Sequence, residues 1–201
     1  MAIDLQKGGD QHKIDLTKGT TNITVHANLN WNQNIQEKKG FFKSIFGGGS
    51  DGPDLDLGCM YEMQNGSKGV IQPLGKNFGN KSKEPFIFLD KDDTSGSASD
   101  GENMFVYKPE LIKRVMFFAL IYEGASNFQS VGGRMIFKIS NGEEITLGLN
   151  NPDTSSVFCA AALFENKNGS YFLTKEERYF KNHQPADAHY GFGFKWTTGT
   201  K

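Results

Sequence analysis

Apolar and polar side chains alternate along most of this chain. Over residues 22–31, Ile23, Val25, Ala27, Leu29 and Trp31 share one face, and Asn22, Thr24, His26, Asn28 and Asn30 share the other. That period of two predicts a half-buried antiparallel strand. A second strand begins at Asp54, turns at Gln64-Asn65-Gly66 and resumes at Val70-Ile71, a hairpin by its Asn-Gly signal. Ser140-Asn141-Gly142 and Asn166-Lys167-Asn168-Gly169 each separate two alternating runs and predict two further hairpins. Residues 115–122 are apolar at nearly every position, the pattern of a strand covered on both faces. Residues 190–196 alternate again and predict a last strand.

The chain opens with a repeated phrase, Ile3-Asp4-Leu5-Gln6-Lys7-Gly8 and then Ile14-Asp15-Leu16-Thr17-Lys18-Gly19. Each reads as a short strand closed by a Lys-Gly turn, paired in a hairpin or placed at sheet edges. Pro109-Glu110-Leu111-Ile112-Lys113 fits one helical turn with Pro at its start. No 3.6-residue period is sustained anywhere. The prediction is an all-β fold: a two-sheet antiparallel β-sandwich with acidic loops and at most one or two helical turns, forming a single domain over residues 1–201.

The pattern collapses over residues 32–52, which read as a flexible insertion rich in Gly and Lys. It contains Phe41-Phe42-Lys43-Ser44-Ile45-Phe46, an apolar knot with two readings. Either it folds back on the body as a satellite cluster, or it offers a patch to a partner or membrane surface. Composition adds less. With 22 basic and 23 acidic residues the balance is near neutral, which gives no electrostatic case for nucleic acid as a partner. No run is long enough to span a membrane, and the opening residues lack the apolar run of a secretory signal, so a cytoplasmic location is expected. Cys59 and Cys159 both sit in strand-like runs and read as buried, reduced thiols.

Charge matters in its placement. Residues 90–102 hold five carboxylates, Asp90, Asp92, Asp93, Asp100 and Glu102, against the single ammonium of Lys91. Apolar strands lead in and out, so the loop is held at both ends. Such a density of oxygen acids among small residues suits a hard cation. An EF-hand is excluded: counted from Asp90, Gly96 falls at position 7 and Glu102 at position 13, each one place late. A second acidic element comprises Asp51, Asp54 and Asp56, and the strand period puts Asp54 and Asp56 on one face with Leu55 on the other. Two such clusters in one small protein favour a shared cation site over two solvated loops.

Other chemistry finds little support. Residues 69–77 approach a phosphate loop at Gly75-Lys76, but the first Gly is misplaced and Asn77 stands where Ser or Thr would hold Mg²⁺. The four histidines have no zinc spacing with the cysteines. His183, Asp187 and His189 lie close together, yet they read more simply as a polar loop before the last strand. No nucleophile has a supporting context, so no enzyme is expected.

Several segments together resemble the tellurite-resistance (Ter) stress-protein family, the TerD-domain proteins. These are Gly52-Pro53-Asp54-Leu55-Asp56-Leu57, Asp92-Asp93-Thr94-Ser95-Gly96 and Asp100-Gly101-Glu102, with Leu29-Asn30-Trp31 and Arg178-Tyr179-Phe180 in support. The Tyr190-Gly191-Phe192-Gly193-Phe194-Lys195-Trp196 tail and the loop carrying Phe41-Phe42 look closer to the TerA branch than to TerD itself. The resemblance implies a β-sandwich that binds Ca²⁺ through acidic loops. It further implies a role in bacterial resistance to tellurite and other stresses, with other Ter-system proteins at the inner membrane face as partners. Its motif positions map onto Asp54, Asp56, Asp92, Asp93, Asp100 and Glu102 as metal ligands, with backbone carbonyls near Thr94 and Gly96. Ser97-Ala98-Ser99 is poorer in acids than the TerD loop, which implies one ion or a weaker pair. The competing reading is a module for a partner or small ligand, with Trp31, Trp196 and the Phe-rich tail lining a groove and any metal only structural.

Overall fold

The computed structural model of the chain describes residues 2–15, 23–32, 52–92 and 101–197. Twelve strands are present among them: β1 (Ala2–Asp4), β2 (Gln11–Lys13), β3 (Val25–Asn30), β4 (Asp54–Met63), β5 (Lys68–Ile71), β6 (Ile87–Leu89), β7 (Glu102–Val106), β8 (Ile112–Glu123), β9 (Gly133–Ile139), β10 (Glu144–Leu149), β11 (Phe158–Lys167) and β12 (Ser170–Phe180). A single α-helix, α1 (His183–Tyr190), follows, and a 3-10 turn at Pro109–Leu111 precedes β8. The strands form two six-stranded sheets, ordered β1-β10-β9-β3-β7-β6 and β2-β12-β11-β8-β4-β5. Among the described residues every pairing of these strands is antiparallel except that of β1 with β10. This is the predicted two-sheet sandwich.

β1, which overlaps the first opening phrase, forms one edge of the first sheet, and β2, which ends just before the second phrase, forms one edge of the second, so β1 and β2 are edge strands and not a hairpin. Residues 16–19 of the second phrase lie outside the described residues. The three Asn-Gly signals do close hairpins, with Gly66, Gly142 and Gly169 all at positive φ. That backbone geometry matches the twist of the flanking strands.

The inner faces of the sheets meet in one apolar core that includes Leu57, Phe117, Phe137, Leu147 and Phe164. Phe117 and Phe137 cross it edge-on, with ring centroids 5.1 Å apart. β8 explains its continuous apolar run. Val115, Phe117, Ala119 and Ile121 point into this core, while Met116, Phe118 and Leu120 point to the far side of the second sheet. There they pack with Met60, Phe158, Ala160, Ala186 and Phe192 under α1 and the tail that follows. Gly58 is required beneath this layer, because a Cβ there would lie 2.2 Å from the Phe118 ring.

The expected last strand over 190–196 is absent. Asn182 caps α1 by accepting from the Gln184 N–H, and Gly191 ends it at φ 65°. The Asp187 carboxylate, nearly sealed from solvent, then accepts from Gly193 N, Phe194 N and Trp196 Nε1 at 2.7, 2.8 and 2.9 Å. The tail backbone thus bonds to a helix side chain and joins no strand. Its alternation persists because Phe192, Phe194 and Trp196 bear on the outer apolar cluster. Arg114 secures the same segment, donating to Tyr190 O and lying 4.2 Å from the Phe192 ring.

His183 sits against the rings of Phe118, Phe158 and Trp196 and shares a hydrogen bond with Gln72 Oε1 at 2.7 Å. Burial lowers its pKa from 6.5 to about 4. The folded state therefore keeps it neutral where the unfolded chain is already protonated. Stability is expected to be full above pH 6.5 and to fall as the pH drops toward about 4, by at most about 3 kcal/mol. Urea melts at a series of pH values should show this slope, and His183→Gln should flatten it. Independently, Gly58→Ala should lower stability by about 1–3 kcal/mol, read by chemical denaturation, as the added methyl displaces Phe118.

Candidate metal centre

β5 pairs with β4 only from Cys59 to Glu62, and among the described residues no other strand pairs with that edge of β4 at Asp54–Gly58. Unmet backbone donors at a buried edge are costly. Glu102 supplies an acceptor: its Oε2 takes the Leu57 N–H at 2.6 Å. Glu102 itself is the first residue of β7, in the opposite sheet, where it is in register with Leu29. It is fully buried. Gly101 makes this approach possible, with φ at +66° and its backbone so close that a Cβ would lie 2.0 Å from Leu29 O.

Strand alternation places Asp54 and Asp56 on one side of β4, opposite the core residues Leu55 and Leu57. Both aspartates are almost completely buried, and Asp54 Oδ1 and both Asp56 carboxylate oxygens are shielded from water. Asp92, on the segment leaving β6, comes in from a third direction. One carboxylate oxygen each from Asp56, Asp92 and Glu102 lie within 4.8 Å of one another. Asp54 adjoins this group along the strand and is not one of the three. Asp93 and Asp100 lie outside the described residues, as do Thr94, Gly96, Ser97-Ala98-Ser99 and the Phe41–Phe46 segment.

Three ionised carboxylates at that spacing repel by roughly 3 kcal/mol or more per pair at an effective dielectric near 20. Protonation or a cation relieves the repulsion. The donors are all oxygens, without His or Cys, and this set matches the oxygen-rich shell of Ca²⁺ better than the nitrogen and sulfur sets of zinc. The residues present fit a hard divalent ion.

Asp90, which is not among the expected ligands, has a structural part. Its two carboxylate oxygens accept from the Asn103 N–H and Asn103 Nδ2, both at 3.2 Å, while its own N–H donates to Asn103 O. It clamps the two stems of the acidic loop and is not among the converging ligands. Asn103 also bridges to His26 and Asn28 on β3. Neither role has a local sequence signal, because both arise from strand register. Trp31 closes the region from the core side, donating from Nε1 to Pro53 O at 2.9 Å.

Other sequence-level candidates disperse. Trp31 packs in the intersheet core and Trp196 on the outer face of the second sheet, so they line no common groove. His183 and Asp187 serve the helix and tail, and His189 rests near Phe180 and Tyr190. Cys59 and Cys159 are buried free thiols whose pKa values are pushed far upward by burial, which leaves them inert as nucleophiles.

Fold and site together define a class: an all-β, two-sheet sandwich with a carboxylate cluster gathered at one end. No family model matches the chain. Over 190 residues, 94% of the chain, it is 32% identical to the tellurium resistance protein TerA of Alcaligenes sp., of whose length it covers 56%. Over 138 residues, 66% of the chain, it is 30% identical to the stress response protein SCP2 of Bacillus subtilis (strain 168), of which it covers 66%. The chain thus spans between about half and two thirds of these relatives' length. It belongs to the tellurium-resistance (Ter) family. Among the described residues, no helix is long and apolar enough to cross a membrane.

Glu102 has two separable duties, charge and hydrogen bonding. In the presence of a chelator, Glu102→Gln should be more stable than Glu102→Ala by about 1–3 kcal/mol, because only Gln retains an acceptor for the Leu57 N–H. Urea denaturation of the two variants side by side reads the difference.

Proposed function

We propose that this chain is a Ca²⁺-binding, non-enzymatic component of a bacterial tellurium-resistance and stress-response system, working in the cytoplasm. The observation that carries the reading is the meeting of Asp56, Asp92 and Glu102 from three separate segments within 4.8 Å. Asp54 adds negative charge beside them, and Asp93 and Asp100 belong to the same acidic loop and would complete the oxygen shell. Ca²⁺ supplies the positive charge that lets these carboxylates stay ionised and together.

The chain's own part is to hold the ligands. β4 fixes Asp56, Glu102 ties the two sheets through the Leu57 N–H, and the Asp90–Asn103 clamp sets where Asp92 leaves the strand. Ion binding neutralises the cluster and secures the loop, which then offers a defined surface to other Ter-system proteins, placed at the inner membrane face. The names of the relatives, a tellurium resistance protein and a stress response protein, support that setting.

The test is a titration of chelator-treated protein with Ca²⁺, followed by calorimetry and by amide NMR. Heat should be released or absorbed, shifts should centre on residues 54–57, 90–92 and 101–103, and stability should rise by about 2–3 kcal/mol at a hundredfold excess over Kd. Asp56→Asn and Asp92→Asn should abolish the response while leaving the apo fold as stable as before or more so. No heat and no shifts at millimolar Ca²⁺ would remove the metal from the reading. Full partner binding by a folded Asp92→Asn protein would instead make the metal structural and favour a partner- or ligand-binding module.

A further inference from the structure

A second feature lies on the edge of the first sheet, and its lining shares no residue with the carboxylate ligands. Residues 75–83 carry Lys76, Lys81 and Lys83 and no acid. A cleft of about 330 Å³ opens there, lined by Gly79, Asn80, Lys81, Ser82, Lys83 and Phe88. That volume is at the small end of the range for small-molecule sites.

The loop that forms the cleft is fastened at several points. The Asn80 N–H donates to Ile87 O at 2.8 Å, and Phe86 N donates to Lys83 O at 2.9 Å. Asn80 Oδ1 accepts from both Ser82 N and Lys83 N at 2.9 Å, an Asx turn that sets the directions in which Lys81 and Lys83 leave the backbone. With its oxygen so engaged, the Asn80 side chain has its amide N–H groups to offer a ligand. Gly79 bridges to Phe88 and sits so close to β6 that a Cβ would lie 2.1 Å from Ile87 O. Glu84, the acid next in sequence, accepts hydrogen bonds from Ser67 and Asn65 of the β4–β5 turn. Its charge is thus drawn toward that turn rather than toward the lysines.

One aromatic ring, Phe88, also lines the cleft. Phe88 is half-buried on β6, in register with Phe105, and Phe105 stacks on His26 with centroids 4.6 Å apart. The cleft therefore pairs two ammonium groups, which favour an anion with several oxygens, with a ring that favours a flat partner. We infer that it binds a phosphorylated small molecule with a planar ring, of the nucleoside monophosphate class. The phosphate sits between Lys81 and Lys83, the Asn80 amide donates to it or to the sugar, and the base lies against Phe88.

The test uses the full chain in a chelator, so that its outcome does not depend on the carboxylate cluster. AMP, adenosine and inorganic phosphate are titrated separately and followed by amide NMR. AMP should shift residues 79–83 and 88 and bind more tightly than either fragment, by about tenfold or more. Lys81→Ala combined with Lys83→Ala should keep the melting temperature and lose AMP affinity by about tenfold or more, and added salt should weaken the wild type in the same direction. Phe88→Leu keeps apolar bulk in the strand and should erase the preference for AMP over phosphate. Absence of shifts at millimolar AMP, or shifts confined to other residues, overturns the site. Equal binding of AMP and phosphate, or of AMP and adenosine, overturns the ligand class.

Discussion

The hydrogen bond from the Leu57 N–H to the Glu102 carboxylate is the contact on which the carboxylate end of the sandwich depends. It joins the two sheets at the one stretch of β4 where β5 gives no strand partner. The same bond fixes a negative charge in a fully buried place, and the strand geometry of β4 brings Asp56 to it. Structure and chemistry are therefore coupled. The acceptor that satisfies the backbone also creates the repulsion that a cation relieves.

The opposite demand governs the outer side of the second sheet. β8 is apolar on both faces, so a sandwich of two sheets alone would leave Met116, Phe118 and Leu120 in water. α1 and the tail supply the missing layer. They are held by polar groups: the buried Asp187 to three tail donors, and the half-buried Arg114 to Tyr190 O and Glu62. A third layer made from so short a helix needs these bonds, because eight residues bury little apolar area by themselves. His183, kept neutral among aromatic rings, makes this layer sensitive to acid.

Membership of the Ter family agrees with this architecture and leaves room beyond it. The chain spans 56% of the TerA relative's length. The carboxylate cluster and the lysine cleft draw on one short strand. β6 links them, with Phe88 in the cleft and Asp92 a few residues further along the chain.

Strand alternation and turn chemistry alone determined most of the fold. A period of two has one face to bury, and Asn-Gly closes hairpins through positive φ, so β3 and the three hairpins follow from neighbouring residues. Asp54 and Asp56 sharing a face is legible for the same reason. What lay beyond local reading depended on partners distant in sequence. The tail alternates like a strand, yet its donors go to Asp187, which no local pattern reveals. The first opening phrase reads as half of a hairpin, yet β1 pairs in parallel with the distant β10, since pairing is chosen by the sheet and not by the phrase. Among the described acidic side chains, tertiary structure brings Asp56, Asp92 and Glu102 together and makes Asp90 a clamp. Sequence determines which residues carry charge and which face of a strand they occupy. Only the register between strands decides which charges meet.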